Sequence, residues 1–487
     1  LDALAYGGRV LLRHYVTPIC TPSRAALMTG KYPIHTGMQH GVIYGAEPRG
    51  LPLSEKILPQ YLKELGYKTH LVGKWHLGSY KKAYLPKQRG FDTHTGFITG
   101  KIDMYDHTNM ERGSWGFDFR TVFWSLYYIT FLKLSECVTF QIINGHNRTS
   151  PLFLTVSHSA VHSGNPYEPI RAPDDVVAKF SYIKDAQRQK FAVLWKLDES
   201  VGNVVEALQA NGLLQNSIIL FSTDNGGAAA GFNSNAASNY PLRGVKNTLW
   251  EGGVRGASSL FSPLLARRAH VFQQSIHLTD WLPTLYHAAG GDISVLRQID
   301  GINQWEALSN DSKSERTSIV HNIDDVWGNA AITINQWKLV KGTNYEGQWD
   351  NWYNSAQRGG DYNIDMVLKS NAGKSIAKLG LMPDKNTILE IRNAGTVNCS
   401  DGPIVPCRPL VAPCLFNVDD DPCERINLAE KEPEILQRML QELEEVNRTA
   451  VPPNNRANDP RGDPKNWGRV YFNFGDFEFN NPSNVDL

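Results

Sequence analysis

An excess of charge of either sign is missing from this chain. Its 487 residues carry 49 Lys and Arg against 49 Asp and Glu, a net charge of zero. That excludes the broad basic field a nucleic-acid partner would need and any strong attraction to an acidic membrane surface. An unbroken apolar run long enough to cross a bilayer is also missing. The densest stretch, Thr121 to Phe140, is interrupted by Lys133 and Glu136, so no stable membrane insertion is expected and a buried helix is the better reading. There is no low-complexity tract and no internal repeat. No leader or transit segment is visible, and the chain opens on Leu1, so the natural start is expected further upstream.

Cysteine is scarce, six in all, and four of them crowd between Cys399 and Cys423. Pairs Cys399–Cys407 and Cys414–Cys423 would staple short loops, with two other connectivities open. A zinc cluster is the rival reading, weakened by the lack of a Cys-x-x-Cys pair. Disulfides point to an oxidising compartment. Glycosylation sequons stand at Asn147, Asn310, Asn398 and Asn447, about as many as chance gives in a chain this rich in asparagine, so their number decides nothing.

What is present is a large, ordinary globular composition, 41% apolar and 20% charged, enough for two or three cores. Residues 1–330 alternate short apolar runs with helical patterns, the mark of a layered α/β domain. Lys68 to Val72, Leu152 to Val156 and Ser217 to Phe221 read as strands. Between the last two, the spacing of Phe191, Leu194, Leu197, Val201, Val204, Val205 and Leu208 predicts a helix from about Ala186 to Ala210. Residues 331–487 read as a smaller domain of antiparallel sheet plus helix. Thr333 to Val340 suits an edge strand, Pro433 to Val446 an amphipathic helix, and the tail from Pro452 a surface segment.

Five blocks carry chemistry. The first is Cys20-Thr21-Pro22-Ser23-Arg24, followed by Ala25 to Gly30. Thr21 suits a helix cap, Pro22 its first position and Gly30 its end. Cys20 then stands at a helix N-terminus, where free N–H groups favour an anion, and Arg24 lies one turn on, able to reach back. Cys-x-Pro-x-Arg alone turns up in about one chain of this size in sixty. The second block, Gly66 to Gly78, puts Lys74 and His76 just past a strand's C-terminal end, two apart and so on one face. The third, Ile218 to Gly227, delivers Asp224 and Asn225 from another strand end as hard oxygen donors for calcium or magnesium; an Asx-Gly turn is the plainer alternative. The fourth, Pro241 to Gly256, contains Lys246, and the fifth, Ala160 to Ser163, contains His162, with His158 as its competitor. Taken singly, each lysine would pass for a surface residue and each histidine for a packed one.

Together these blocks resemble the signatures of the type I sulfatases, most closely the arylsulfatase B group. The resemblance implies an alkaline-phosphatase-like α/β fold, a large mixed sheet flanked by helices with a smaller C-terminal domain. It implies that Cys20 is oxidised to formylglycine by a formylglycine-generating enzyme and that a calcium ion is held by Asp224, Asn225 and the modified Cys20. The pair of aspartates that the family carries on an earlier strand is not in this sequence. It further implies that Lys74 and Lys246 hold the sulfate and that the hydrated aldehyde attacks sulfur beside Arg24. His162 with Lys246 would protonate the leaving oxygen, and His76 would release the product. The expected substrate is a sulfated carbohydrate, by family default N-acetylgalactosamine 4-sulfate of dermatan or chondroitin sulfate, or another sulfate ester; the expected location is lysosomal or secreted. A phosphate or phosphonate ester hydrolase and a pseudo-sulfatase that only binds sulfated glycans are the alternatives.

Overall fold

The computed structural model describes residues 1–120, 131–353, 362–399 and 402–478; the first half of the unusual run from Thr121 to Phe140 therefore lies outside the described residues, and the second half belongs to the helix Phe131–Gly145. Among the described residues thirteen strands are formed: β1 Arg9–Tyr15, β2 Lys68–Lys74, β3 Thr93–Phe97, β4 Thr108–Glu111, β5 Ser114–Phe117, β6 Leu152–Ser157, β7 Ile219–Ser222, β8 Ser258–Phe261, β9 His270–His277, β10 Ser318–Asp324, β11 Asn329–Ile334, β12 Trp337–Lys341 and β13 Cys414–Asn417. Among the described residues the layered α/β part holds three ladders. One is parallel, in the order β3-β2-β6; another is mixed, in the order β7-β8-β1-β9; the third is the antiparallel pair β4-β5. In the mixed ladder β8 runs antiparallel to β1 and β7, and β9 runs parallel to β1.

The strands expected from apolar density are all present, but β6 and β7 end their ladders, each with one neighbour, and every residue in both is half-buried. The long helix is interrupted. Residues Ala186–Lys190 and Val193–Ala210 are separate helices, because Ala192 N–H turns back three residues to the Gln189 carbonyl (3.1 Å) and Leu194 N–H to that of Phe191 (3.0 Å). Leu194, placed on the apolar face from its spacing, is exposed, whereas Leu197 and Val205 are buried as that spacing requires.

The C-terminal sheet is antiparallel, β10-β11-β12-β13. It begins at Ser318, ahead of the boundary expected at 331, because β10 pairs along its length with β11. The segment read as an edge strand is two strands joined at Asn335-Gln336, and β12 is interior, flanked by β11 and β13. The helix Pro433–Asn447 covers this sheet with Met439 and Leu443, which join Ile332, Leu339 and Leu415 in one core.

The cysteine pairing differs from the sequential one. Cys399 bonds Cys423 and Cys407 bonds Cys414, one loop nested inside the other. The reason is local: Val405 bridges to Ile426, with its N–H on the Arg425 carbonyl at 2.9 Å, which lays the chain just before Cys407 beside the segment that follows Cys423. All four thiols are consumed, which removes the zinc reading. Cys137, in the helix Phe131–Gly145, is free and exposed.

The two parts are joined by a buried ion cluster. Lys338 on β12, fully shielded from solvent, lies 2.9 Å from both Glu251 Oε1 and Glu424 Oε1. Glu424 Oε2 also accepts from the Glu251 N–H at 2.7 Å, and the Tyr15 hydroxyl donates to Glu251 Oε2 at 3.1 Å. Burial pushes Glu424 from its ordinary 4.5 up to about 7, against the pull of Lys338, while Lys338 and Arg255 overcome burial to hold Glu251 low. A folded pKa above the unfolded one means a contribution fully present below about 4.5 and lost as pH rises through about 7. Glu251 acts only below that window. Glu424 should therefore withdraw stability between about pH 4.5 and about pH 7, and Glu424→Gln should remove that contribution, so that the variant loses less or gains more stability than the unsubstituted chain across this window in urea titrations run at each pH. An unchanged pH dependence in the variant would show that Glu424 withdraws none.

Candidate active site

The first helix of the site spans Cys20–Thr29. Its cap is Ile19, in extended backbone, not Thr21, and Cys20 is already the first helical residue. Thr21 is occupied elsewhere: its hydroxyl donates to the His76 carbonyl (3.2 Å) and accepts from the Ile43 N–H (3.2 Å), tying the helix to the second block. Gly30 ends the helix as expected, with φ +67 and its N–H on the Ala26 carbonyl. Cys20 is 2% exposed, and its Sγ marks where the oxygens of a formylglycine hydrate would stand.

Around that sulfur the structure gathers residues from four of the other blocks. Lys246 Nζ donates to Cys20 Sγ at 3.3 Å and to His162 Nε2 at 3.0 Å. The other His162 nitrogen, Nδ1, faces the Ser163 carbonyl at 2.8 Å and so carries the proton, leaving Nε2 as the acceptor. His76 shows the reverse tautomer. Its Nε2 donates to the Ile43 carbonyl at 2.9 Å, and Nδ1 is buried with no hydrogen-bond partner. Cys20 Sγ also approaches Asn225 Oδ1 at 3.6 Å.

Charge in the site is one-sided. Burial would raise the Cys20 thiol, but the ammonium group of Lys246 and then that of Lys74 pull it well below its usual value. Burial lowers Lys74. Burial and then Lys74 depress His76 to about 4; burial and then Lys246 depress His162. Both rings are therefore neutral at neutral pH. Arg24, Lys74 and Lys246 face one carboxylate, Asp224, so an anion is needed to balance the cluster.

Arg24 does not reach back to Cys20 as expected. Its Nη1 donates to the Lys74 carbonyl (2.9 Å) and Ser157 Oγ (2.8 Å), and its Nε lies 3.4 Å from Asp224 Oδ2. It fastens the ends of β2 and β6 to the Asp224 turn. Ser157 is the site residue that motif reasoning missed; its signal was its place at the C-terminal end of a predicted strand. His158, the competitor of His162, is half-buried, with burial lowering it to about 4; Lys246 Nζ meets His162.

The glycines of the third and fourth blocks pack against each other. A Cβ on Gly226 would stand 1.8 Å from the Gly252 carbonyl oxygen, and Gly226 N–H bonds the Gly253 carbonyl at 2.9 Å. The Asp-Asn-Gly-Gly run is thus a turn seated on a backbone contact. Gly226→Ala should cost about 3 kcal/mol or more through overpacking against fixed backbone and should displace Asn225. Thermal melts and activity on the purified variant check both, and a wild-type melting point would refute the contact's importance.

Calcium takes six to eight oxygens. Asp224 supplies a carboxylate, already engaged by Arg24, and Asn225 Oδ1 a second oxygen, with the Cys20 hydrate as a third. No group of three or more His, Cys, Asp and Glu side chains is placed to hold a metal among the described residues. These donors alone do not complete a calcium shell, and no step below is routed through the ion.

A buried nucleophile position, two ammonium groups and two neutral histidines of opposite tautomer define a hydrolase for esters of a tetrahedral oxyanion. Comparison with known proteins narrows the class. The sulfatase family model matches residues 1–291. Mouse arylsulfatase J is 36% identical over 97% of this chain and 75% of its own length. Human N-acetylgalactosamine-6-sulfatase is 29% identical over 72% of this chain and 68% of its own. The chain belongs to the sulfatase family and is a sulfuric ester hydrolase. The fold is shared with the crystal structure of Ps i-CgsB (TM-score 0.69, 24% identity, 93% of this chain and 88% of that one) and with PsFucS1 sulfatase from Pseudoalteromonas sp. (TM-score 0.63, 21% identity, 92% and 84%).

Proposed function

We propose that this chain removes sulfate from sulfated sugars through a formylglycine formed at Cys20. The observation that carries the reading is the position of Lys246 Nζ, between Cys20 Sγ and His162 Nε2. An ammonium there contacts both the nucleophile position and the residue that would protonate the leaving oxygen. Lys74 and Lys246 neutralise the sulfate. One hydroxyl of the hydrate, made more acidic by the same two ammonium groups that depress the thiol, attacks sulfur, and its proton replaces the one that the Lys246–His162 pair gives up. The sulfur–oxygen bond to the sugar breaks, and the departing oxygen takes a proton from the Lys246–His162 pair. The free Nδ1 of His76 then takes the proton of the second hydroxyl. The carbon–oxygen bond to sulfate breaks, and the aldehyde returns.

N-acetylgalactosamine sulfate esters of glycosaminoglycans are the proposed substrates, at the 4-position by the arylsulfatase B resemblance; one curated relative is named for the 6-position. Two disulfides support passage through an oxidising compartment, and thus a lysosomal or secreted location with maturation by a formylglycine-generating enzyme. Asp224 and Asn225 are the residues that would contribute to a calcium ion. The short donor set favours one second reading, a sulfate-binding protein without turnover. Purified protein incubated with aryl sulfate and aryl phosphate, with peptide mass spectrometry at Cys20, tests these ideas. Sulfate turnover with formylglycine present is expected. Phosphate-only turnover, or none with formylglycine present, would refute the proposal.

A further inference from the structure

Beside Lys246 lies a constellation that none of the signature blocks explains. Asn247 is 1% exposed and pinned on every side but one. Its N–H donates to the Pro18 carbonyl (2.7 Å), its own carbonyl accepts from Asn344 Nδ2 (2.7 Å), and its Nδ2 donates to the Tyr345 hydroxyl (2.7 Å). The remaining atom, Oδ1, is buried with no hydrogen-bond partner. A buried amide oxygen left bare is costly, and a ligand hydroxyl or amide N–H would relieve that cost.

Tyr345 completes the arrangement. It and Glu346 both adopt left-handed backbone, φ +53 and +54, which non-glycine residues hold only where surroundings enforce it. The Phe232 ring meets the Tyr345 ring edge-on at 5.5 Å, and Trp349 packs against Phe232 at 5.3 Å. The ring is thus propped from below, yet Tyr345 is 44% exposed. Because its oxygen accepts from Asn247, its own proton is free to donate outward. The Tyr345 hydroxyl is held at 2.7 Å by the side chain of Asn247, the residue that follows Lys246 in the chain.

An exposed aromatic face beside one free donor and one bare acceptor matches a sugar ring, which offers an apolar C–H face and hydroxyls at its edge. We propose that Tyr345 and Asn247 form the subsite for the sugar that bears the sulfate, Tyr345 by stacking and by its hydroxyl, Asn247 through Oδ1. This deepens the proposed function and rests on it, because the sugar is placed by the ester held at Lys246. Tyr345 and Asn247 are specificity residues: they would touch the sugar and leave the sulfur chemistry to others.

The test measures binding and turnover separately. Calorimetry with sulfated N-acetylhexosamine is run on Cys20→Ala, which cannot turn over, and on Cys20→Ala combined with Tyr345→Ala or Tyr345→Phe. Loss of the ring should weaken binding about tenfold or more, and loss of the hydroxyl alone about three- to tenfold. Melting points are taken for each variant, and Tyr345→Phe keeps the ring should Tyr345→Ala unfold. Equal affinity in Cys20→Ala and Cys20→Ala/Tyr345→Phe, or no binding to Cys20→Ala at all, would overturn the subsite. If the unsubstituted chain hydrolyses aryl sulfate while the Tyr345 variants bind the sugar unchanged, the subsite fails and the sulfatase reading survives. If it hydrolyses no sulfate ester but binding still depends on Tyr345, the subsite stands and the enzymatic reading fails.

Discussion

Replacing Cys20 with serine should stop turnover after one event and leave a sulfate ester on the protein. Serine has one hydroxyl where the formylglycine hydrate has two. It can attack sulfur in the field of Lys74 and Lys246, and the Lys246–His162 pair can still protonate the departing oxygen. It has no second hydroxyl whose proton His76 Nδ1 could take, so the elimination that expels sulfate has no starting point. Steady-state rate should fall by about 10⁴-fold or more, in the range seen when a nucleophile is removed. Intact-protein mass spectrometry after incubation with aryl sulfate should show one sulfate adduct per chain. His76→Ala in the otherwise unaltered protein should accumulate the same adduct by blocking the same step. Sustained multiple turnover by the serine variant would sink the mechanism.

A comparably large effect on stability is expected at Lys338. Lys338→Met removes the ammonium that Glu251 and Glu424 share; Glu251 keeps Arg255 at 3.7 Å, whereas the Glu424 carboxyl is left without access to water and, among the described residues, without an ion pair. Breaking a buried pair this way costs about 3–5 kcal/mol, most of it from the charge left behind. Combining it with Glu424→Gln should recover part of the loss, since the stranded carboxyl is then neutral. Denaturant titrations of the three proteins decide the matter. A single substitution that costs under about 1 kcal/mol would mean that the cluster is already discharged. Activity should suffer as well, because Glu251 opens the short helix whose Gly252 and Gly253 back the Asn225 turn.

Much of the site was legible because its residues sit in contiguous blocks, several of them at the end of a strand or the start of a helix. Cys20, Lys74, His76, Asp224 and Asn225 could be read that way; Lys246 and His162 lie in loops and came from the resemblance alone. The partners of Arg24 could not be read, because a guanidinium selects acceptors by geometry across three strands, and spacing along one segment says nothing of that. The Lys338 cluster was invisible for the same reason: a lysine in a strand looks solvated until two glutamates from distant segments close over it. Strand periodicity predicted β6 and β7 but not their edge positions, since apolar density reports burial by any neighbour. The disulfide connectivity needed the Val405–Ile426 bridge, a single long-range contact without a local signature. Tyr345 lies in a loop whose conformation is imposed by its neighbours, and nothing in its sequence announced it.

Cys423 and Glu424 are adjacent in the chain, and this gives the outer disulfide a mechanical meaning. The bond to Cys399 fixes the anchor point of a carboxyl group that reaches Lys338 and the Glu251 N–H. The redox state of the solvent around the protein is thereby an input to a polar core that water does not enter. A mild reductant, acting on a loop with no part in hydrolysis, should act as a remote handle on the backbone behind the Asn225 turn.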